Sequence, residues 1–322
     1  MTRMSKKLVL PALLLTVALT TQAQTTNRPV TIVVPFGAGG STDVMTRIVA
    51  AKMATALNRP VVVDNKPGAG SRLAAGQVKN MAADGTYVLM ALTTTASISP
   101  TLYAGQVNYD FKTDYTPVAQ IAKSPIVISV GENSKFKTAG DLLAQAKRAP
   151  GQLNIGTSGV GTMSHLTLYR LERATETKTA MIPFRGGSSV VTDLLGGQLD
   201  GAVDIVGDHV EQHRAKKMRI LGVFSASRSS LVPEVPTMRE QGIELESESW
   251  YGLFVPSKTP KTAVTELQNA VATALKDPDV QARLNSMGMR PSYLDSTEFG
   301  KMLAEDAVRW GTVVRESGIK PE

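Results

Sequence analysis

An α/β protein of two lobes is the architecture this sequence predicts, and three observations carry that expectation. Short β-branched runs alternate with helical segments, the rhythm of parallel βαβ units. The alternation comes in two sets, one ending near Leu92 and another opening at Ile126. Each set holds a strand that runs into a glycine-rich turn and then a helix start, at residues 31–43 and 154–162.

In the first set, residues 30–35 read as a strand and 43–57 as a helix, with Val44, Ile48, Ala51 and Leu57 near one face. Residues 60–64 and 87–92 read as further strands, separated by a helix over 73–81. The second set has strands at 126–130, 153–156, 179–183, 201–205 and 219–224, with helices at 139–148 and 163–174. The tail returns with a strand at 250–256 and helices at 261–276, 279–287 and 297–316. Asp277 before Pro278, and Asp295 before Glu298, are helix-start signals. The expected first lobe is residues 24–125 plus 251–322, and the second is 126–250. Chain crossovers are expected near residues 123–127 and 248–254, with the last helices packed on the first lobe.

Composition narrows the function. The 322 residues are 42% hydrophobic and 20% charged, enough for one large or two medium domains. Aromatics make up only 5%, which argues against stacking platforms for single-stranded nucleic acid. Residues 1–23 have the form of a cleaved signal peptide: Arg3, Lys6 and Lys7, an apolar stretch over 8–19, then Thr21-Gln22-Ala23. That stretch is shorter than the ~20 residues a bilayer span needs, and a retained N-terminal anchor is the competing reading. There is no cysteine, so disulfides and a lipidated N-terminal cysteine are both excluded. The net charge is +7, of which the leader supplies three, and no basic run is longer than Lys216-Lys217. Nucleic acid is therefore not an expected partner, whereas a small anion is well tolerated.

The loop Pro35-Phe36-Gly37-Ala38-Gly39-Gly40-Ser41-Thr42-Asp43 is the main candidate site. Glycines let backbone N–H groups approach a ligand, and the following helix start favours an anion. A plain tight turn is the competing reading. A dinucleotide fingerprint fails because Thr42 stands where the third glycine belongs. The loop Thr157-Ser158-Gly159-Val160-Gly161-Thr162, with His165 in the next turn, repeats the design in the second set. Two such loops, one per lobe, would face each other across a cleft and grip a carboxylate. Arg72, Thr93 and Arg185 add donors at strand ends, where open α/β sheets bind ligands; for Arg185 a solvated surface arginine is the alternative. Asp204 ends a strand and could bind a ligand amine or hydroxyl, or cap the next segment.

Catalytic patterns do not assemble. No Gly-x-Ser-x-Gly elbow or cysteine nucleophile occurs. His209 and His213 have metal-compatible spacing, but Glu211 is misplaced for a His-Glu-x-x-His motif and no third ligand is evident. No metal or cofactor is expected.

The ordered set of motifs resembles the periplasmic solute receptors of tripartite tricarboxylate transporters, the Bug or TctC family. Besides the two loops, it includes Val61-Val62-Val63-Asp64-Asn65-Lys66-Pro67-Gly68-Ala69-Gly70, Ala83-Asp84-Gly85-Thr86-Tyr87 and Pro183-Phe184-Arg185-Gly186-Gly187. Asp193-Leu194-Leu195-Gly196-Gly197-Gln198 and Val235-Pro236-Thr237 complete it. The resemblance implies a Venus-flytrap fold of the type II periplasmic-binding-protein kind, exported to the periplasm. It further implies a monomer that delivers a carboxylate to a membrane permease. Its site would draw on Phe36, Gly39, Gly40, Ser41, Thr42, Asp43, Arg72 and Thr93 from one lobe. Thr157, Ser158, Gly161, Thr162, His165, Phe184, Arg185 and Asp204 would come from the other. Ser41, Thr42, Thr157 and Ser158, with the Gly39 and Gly40 backbone, are the contacts it implies for one carboxylate. The chain departs from the family pattern at Ala38, Arg72, Ala96, Ser99 and Phe184. The polar groups lost at Ala96 and Phe184 point to an apolar or aromatic ligand body. A periplasmic sensor that presents its bound state to a signalling partner would need the same cleft, and an exported hydrolase would need a nucleophile–base pair.

Overall fold

The computed structural model describes residues 28–321, so the leader lies outside the described residues. The first lobe opens with β1 (Val30–Val34), α1 (Ser41–Leu57), β2 (Val61–Asn65), α2 (Arg72–Val78) and β3 (Tyr87–Leu92). β1 lies between β2 and β3 and runs parallel to both, as a βαβαβ succession requires. Covered on both faces, it is a continuous apolar run with Ile32, Val33 and Val34 fully buried. A π-helical turn at Thr94–Ile98 and the short α3 (Ser99–Leu102) lead to β4 (Tyr115–Gly131).

The second lobe follows as α4 (Ala139–Arg148), β5 (Asn154–Thr157), α5 (Met163–Thr175), β6 (Ala180–Pro183) and α6 (Gly187–Leu195). It continues with β7 (Gly201–Ile205), α7 (Val206–Arg214) and β8 (Met218–Val223). The chain then returns through β9 (Glu248–Pro256), α8 (Lys261–Lys276), α9 (Pro278–Ser286), β10 (Arg290–Leu294) and α10 (Ser296–Ser317). Asp277 caps α9 by accepting the Asp279 and Val280 N–H groups, and Asp295 caps α10 with Glu298 in a capping box.

The strands form two sheets that share β4. One has the order β2-β1-β3-β9-β4-β10, and the other β8-β4-β7-β5-β6. β9 pairs antiparallel with β4 from Tyr115↔Pro256 to Pro125↔Glu248. Beyond that point β4 pairs with β7 and β8 instead. The change of partners falls at Pro125, which has no N–H to give a ladder.

The sequence reading started this strand at residue 126, but it begins at Tyr115. Pro117, Gln120, Lys123 and Pro125 break the apolar alternation that would reveal it, while β9 supplies a pairing partner more than a hundred residues away. β10 and α6 escaped the reading as well, being short and bounded by proline or glycine. The helix α10 also differs from expectation, because it belongs to both lobes. Its Phe299 and Leu303 join a first-lobe cluster with Trp250 and Phe254, and its Trp310 and Val314 join the second-lobe core with Leu166 and Phe224. The guanidinium groups of Arg170 on α5 and Arg309 on α10 each lie over the Trp310 ring, at 5.3 and 5.2 Å. Among the described residues, no helix is long and apolar enough to cross a membrane.

Phe299 is fully buried and packs edge-on against Trp250 at 5.2 Å between ring centroids. Phe299→Ala is expected to destabilise the protein by about 3–5 kcal/mol, measured by denaturant unfolding.

Candidate functional site

A cleft of about 480 Å³ separates the lobes. On the first-lobe wall, α1 begins at Gly40 with no side chain capping it, so its leading N–H groups have no capping partner in the chain. Phe36, Gly40, Ser41 and Thr42 line the cleft there. Asp43 does not line it but builds the loop. Its carboxylate accepts the Gly39 N–H at 2.8 Å, Arg47 Nε at 3.0 Å and Asn65 Nδ2 at 2.9 Å, and it is 2% exposed. Burial alone would raise its pKa, but the bonds from Arg47, Gly39 and Asn65 together hold it below the usual value.

Two neighbouring loops extend this wall. Ala69, Gly70 and Ser71 all have positive φ (47°, 59° and 79°), and Gly70 and Ser71 reach the cleft. Non-glycine residues in that region are strained and persist only where the surroundings hold them. Here the Ser71 and Thr95 hydroxyls bond at 2.7 Å. Thr94 lines the cleft from the π-helical turn. Thr93 is turned inward, where its Oγ1 accepts the Trp250 N–H at 3.0 Å and ties β3 to β9. Arg72 lies flat on the Tyr103 ring, 3.4 Å from its centroid, away from the lining.

The second-lobe wall is a chain of hydroxyls ending on a carboxylate. Ser158 Oγ donates to Asp204 Oδ1 at 2.9 Å and bonds Ser164 Oγ at 2.9 Å, and Ser164 Oγ meets Thr162 Oγ1 at 2.8 Å. All four residues line the cleft. Thr162 also caps α5, so this helix, unlike α1, has its own side-chain cap. Arg185, Gly186, Gly187 and Asp208 complete the wall, while Leu92, Met163, Ser249, Tyr251 and Ile205 also line the space.

Several expected residues stand behind the wall. Thr157 is fully buried and its hydroxyl points to Met181 Sδ at 3.4 Å. His165 Nδ1 accepts the Gly161 N–H at 3.2 Å, and burial lowers its pKa to about 4, leaving it neutral. Gly161 has φ +69°, and a Cβ there would collide with Leu102. The Phe184 ring packs beside Val190 and Leu199, and Ala96 is 3% exposed in the first-lobe core. Neither Phe184 nor Ala96 faces the cleft, so the argument for an aromatic ligand drawn from them loses its basis. The two spaced histidines diverge: His209 Nδ1 bonds Ser129 Oγ at 2.6 Å inside the lobe, and His213 Nε2 bonds Glu234 at 2.8 Å. Among the described residues no group of three or more metal-ligating side chains gathers.

Sequence reasoning missed Ser164, Asp208, Ser249 and Tyr251 as lining residues. Asp208 had a local signal, being four residues after Asp204 across a strand–helix junction. Ser249 and Tyr251 had none, since only the pairing of β9 with β3 and β4 brings them to the cleft.

Asp204 is electrostatically unusual. It is 2% exposed, and burial, with the Asp208 carboxylate second, raises its pKa to about 7. Burial also raises the pKa of Asp208.

Two α/β lobes around a cleft lined by helix-terminal N–H groups and hydroxyls are the build of a periplasmic-binding-protein receptor. A family model described as "Tripartite tricarboxylate transporter family receptor" matches residues 45–319, and the chain belongs to this TctC family. It is 31% identical to Protein BugT of Bordetella pertussis over 295 residues, covering 91% of this chain and 90% of that one. Among solved structures, R. palustris Rpa4515 with adipate superposes with a TM-score of 0.83 at 28% identity, covering 92% of this chain and 100% of that one. MatC (Rpa3494) from Rhodopseudomonas palustris with bound malate superposes with a TM-score of 0.76 at 30% identity, covering 89% and 99%.

The raised pKa of Asp204 has a consequence for stability. Unfolded, this carboxyl titrates near its ordinary value of 3.8, whereas in the native protein burial raises that to about 7. Between those values the native state binds more protons, so this group's contribution to stability falls as pH rises. His165 and His209, both lowered to about 4, act in the opposite direction, so the comparison must be with a variant. Ligand-free Asp204→Asn is expected to gain stability relative to wild type between about pH 5 and pH 8, read as the change in denaturation midpoint.

Proposed function

We propose that this chain is a periplasmic receptor that captures a small organic carboxylate in the cleft and presents it to the permease of a tripartite tricarboxylate transporter. The observation that carries this reading is the uncapped start of α1, with Gly40, Ser41 and Thr42 in the cleft opposite the hydroxyls of Ser158, Thr162 and Ser164. Unpaired N–H groups at the positive end of a helix dipole are a site for an anion. The hydroxyl wall can accept or donate, so it fits the same carboxylate from the other side once the lobes close. The family and the acids held by the malate- and adipate-bound relatives support the ligand class.

Closure is the expected mechanism. β4 and β9 join the lobes, and a ligand that bonds both walls favours the closed form by its extra contacts there. We read the chain as a carrier and not a catalyst. His165, the histidine beside the second loop, uses Nδ1 to accept the Gly161 N–H, and among the described residues its ring is hydrogen-bonded to no cleft hydroxyl. Turnover of a bound acid would sink this part of the reading.

Ligand-stripped protein is expected to melt at a higher temperature with at least one member of a broad carboxylate panel. A charge-assisted hydrogen bond contributes about 1.5–3 kcal/mol, so Thr42→Ala and Ser158→Ala should each weaken that ligand by roughly tenfold or more in calorimetry. Unchanged affinity in both variants would remove these side chains from the site.

A further inference from the structure

A carboxylate clamp leaves part of the second-lobe wall without a role. Asp204 Oδ1 accepts from Ser158 Oγ and from the Ile205 N–H, each at 2.9 Å. Asp204 Oδ2 is buried and has no partner. An unsatisfied buried carboxylate oxygen is costly, and more so when it bears charge. The same residue lines the cleft, so the vacant acceptor lies just beneath the ligand space.

Asp208 lies beside it. Gly187 begins α6, which has no side-chain cap, and the two acids converge above it. A Cβ built on Gly187 would collide with Asp208 Oδ2 and stand 2.8 Å from Asp204 Oδ2, so only glycine leaves room for the pair. Both acids also act on Tyr251 in the cleft, whose phenol is raised first by burial and then by Asp208 and Asp204. The charged neighbour that raises Asp204 is Asp208, and burial raises Asp208. Arg185 is the nearby cation of this wall, and its side chain is exposed.

A second carboxylate placed here would add negative charge beside two buried acids whose ionised forms are already disfavoured. An ammonium would meet the opposite: two carboxylates, a vacant acceptor, and the ring of Tyr251 in the same cleft. We propose that the natural ligand is zwitterionic, with its carboxylate at the α1 start and a cationic nitrogen held between Asp204 and Asp208. This rests on the carboxylate-receptor reading and names the other end of the same ligand. The three N–H donors of an ammonium suit the arrangement, one for Asp204 Oδ2, one for Asp208 and one for a neighbouring hydroxyl or water. Binding the cation also keeps both acids ionised at neutral pH, where alone they repel.

The test is calorimetry on ligand-stripped protein with matched acids that differ only in the amine: aspartate against succinate, glutamate against glutarate, 4-aminobutyrate against butyrate, and 4-(aminomethyl)benzoate against 4-methylbenzoate. In at least one pair the amino acid is expected to bind about tenfold tighter or more. Asp208→Asn and Asp204→Asn, checked by melting for intact folding, should reduce that preference to about threefold or less. If acids bind but no amino member is preferred, the zwitterion proposal is overturned and the carboxylate receptor stands. A preference that survives both substitutions also overturns it, because the nitrogen is then held elsewhere. If neither series binds at all, the receptor reading falls together with the proposal.

Discussion

The antiparallel pair of β4 and β9 is the constraint on which the rest of this molecule depends. Its ladder, with register shifts after Pro117 and Gln120, runs from one sheet toward the other as far as Pro125 and Glu248, and β4 alone continues into the second sheet. Two hydrogen-bonded strands resist sliding and shear, so this pair fixes the register of the loops that face each other across the cleft. Ser249 and Tyr251 sit on this pair and line the cleft, so the ligand space includes the hinge itself.

The two walls reach similar chemistry by different routes. On the first lobe, Asp43 is spent on holding the loop, and the helix start is left bare for a ligand. On the second, Thr162 caps its own helix and the recognition surface shifts to hydroxyls that end on Asp204. The first wall is thus a fixed donor array. The second is amphoteric, since hydroxyl protons can rotate to match what arrives.

Much of this fold could be read from local pattern, and the reasons are physical. The strand at Tyr87–Leu92 and the helices at Ala139–Arg148 and Lys261–Lys276 carry their periodicity or caps within their own residues. The first half of β4 does not, because its partner lies on β9 and prolines mask its alternation. The site divides in the same way. Loops at strand ends announced Gly40, Ser41, Thr42, Ser158, Thr162 and Arg185 as candidates, and these six residues do line the cleft. Which side of a loop each residue faces is set by tertiary contact. Thr157 turns to Met181, Arg72 to Tyr103 and Phe184 to the second-lobe core, and none of those neighbours is visible in the local sequence.

The last helix limits how far the lobes can part. Phe299 and Trp310 are both fully or nearly fully buried, one in each lobe's core, on a single rigid rod. A swing about the strands must either bend that rod between the two anchors or lift one aromatic ring from its seat. Helices bend gently at small cost, but unseating a large ring forfeits several kcal/mol. The molecule therefore behaves as a jaw with a leaf spring across its back, whose opening angle is set less by the joint than by the stiffness of the spring.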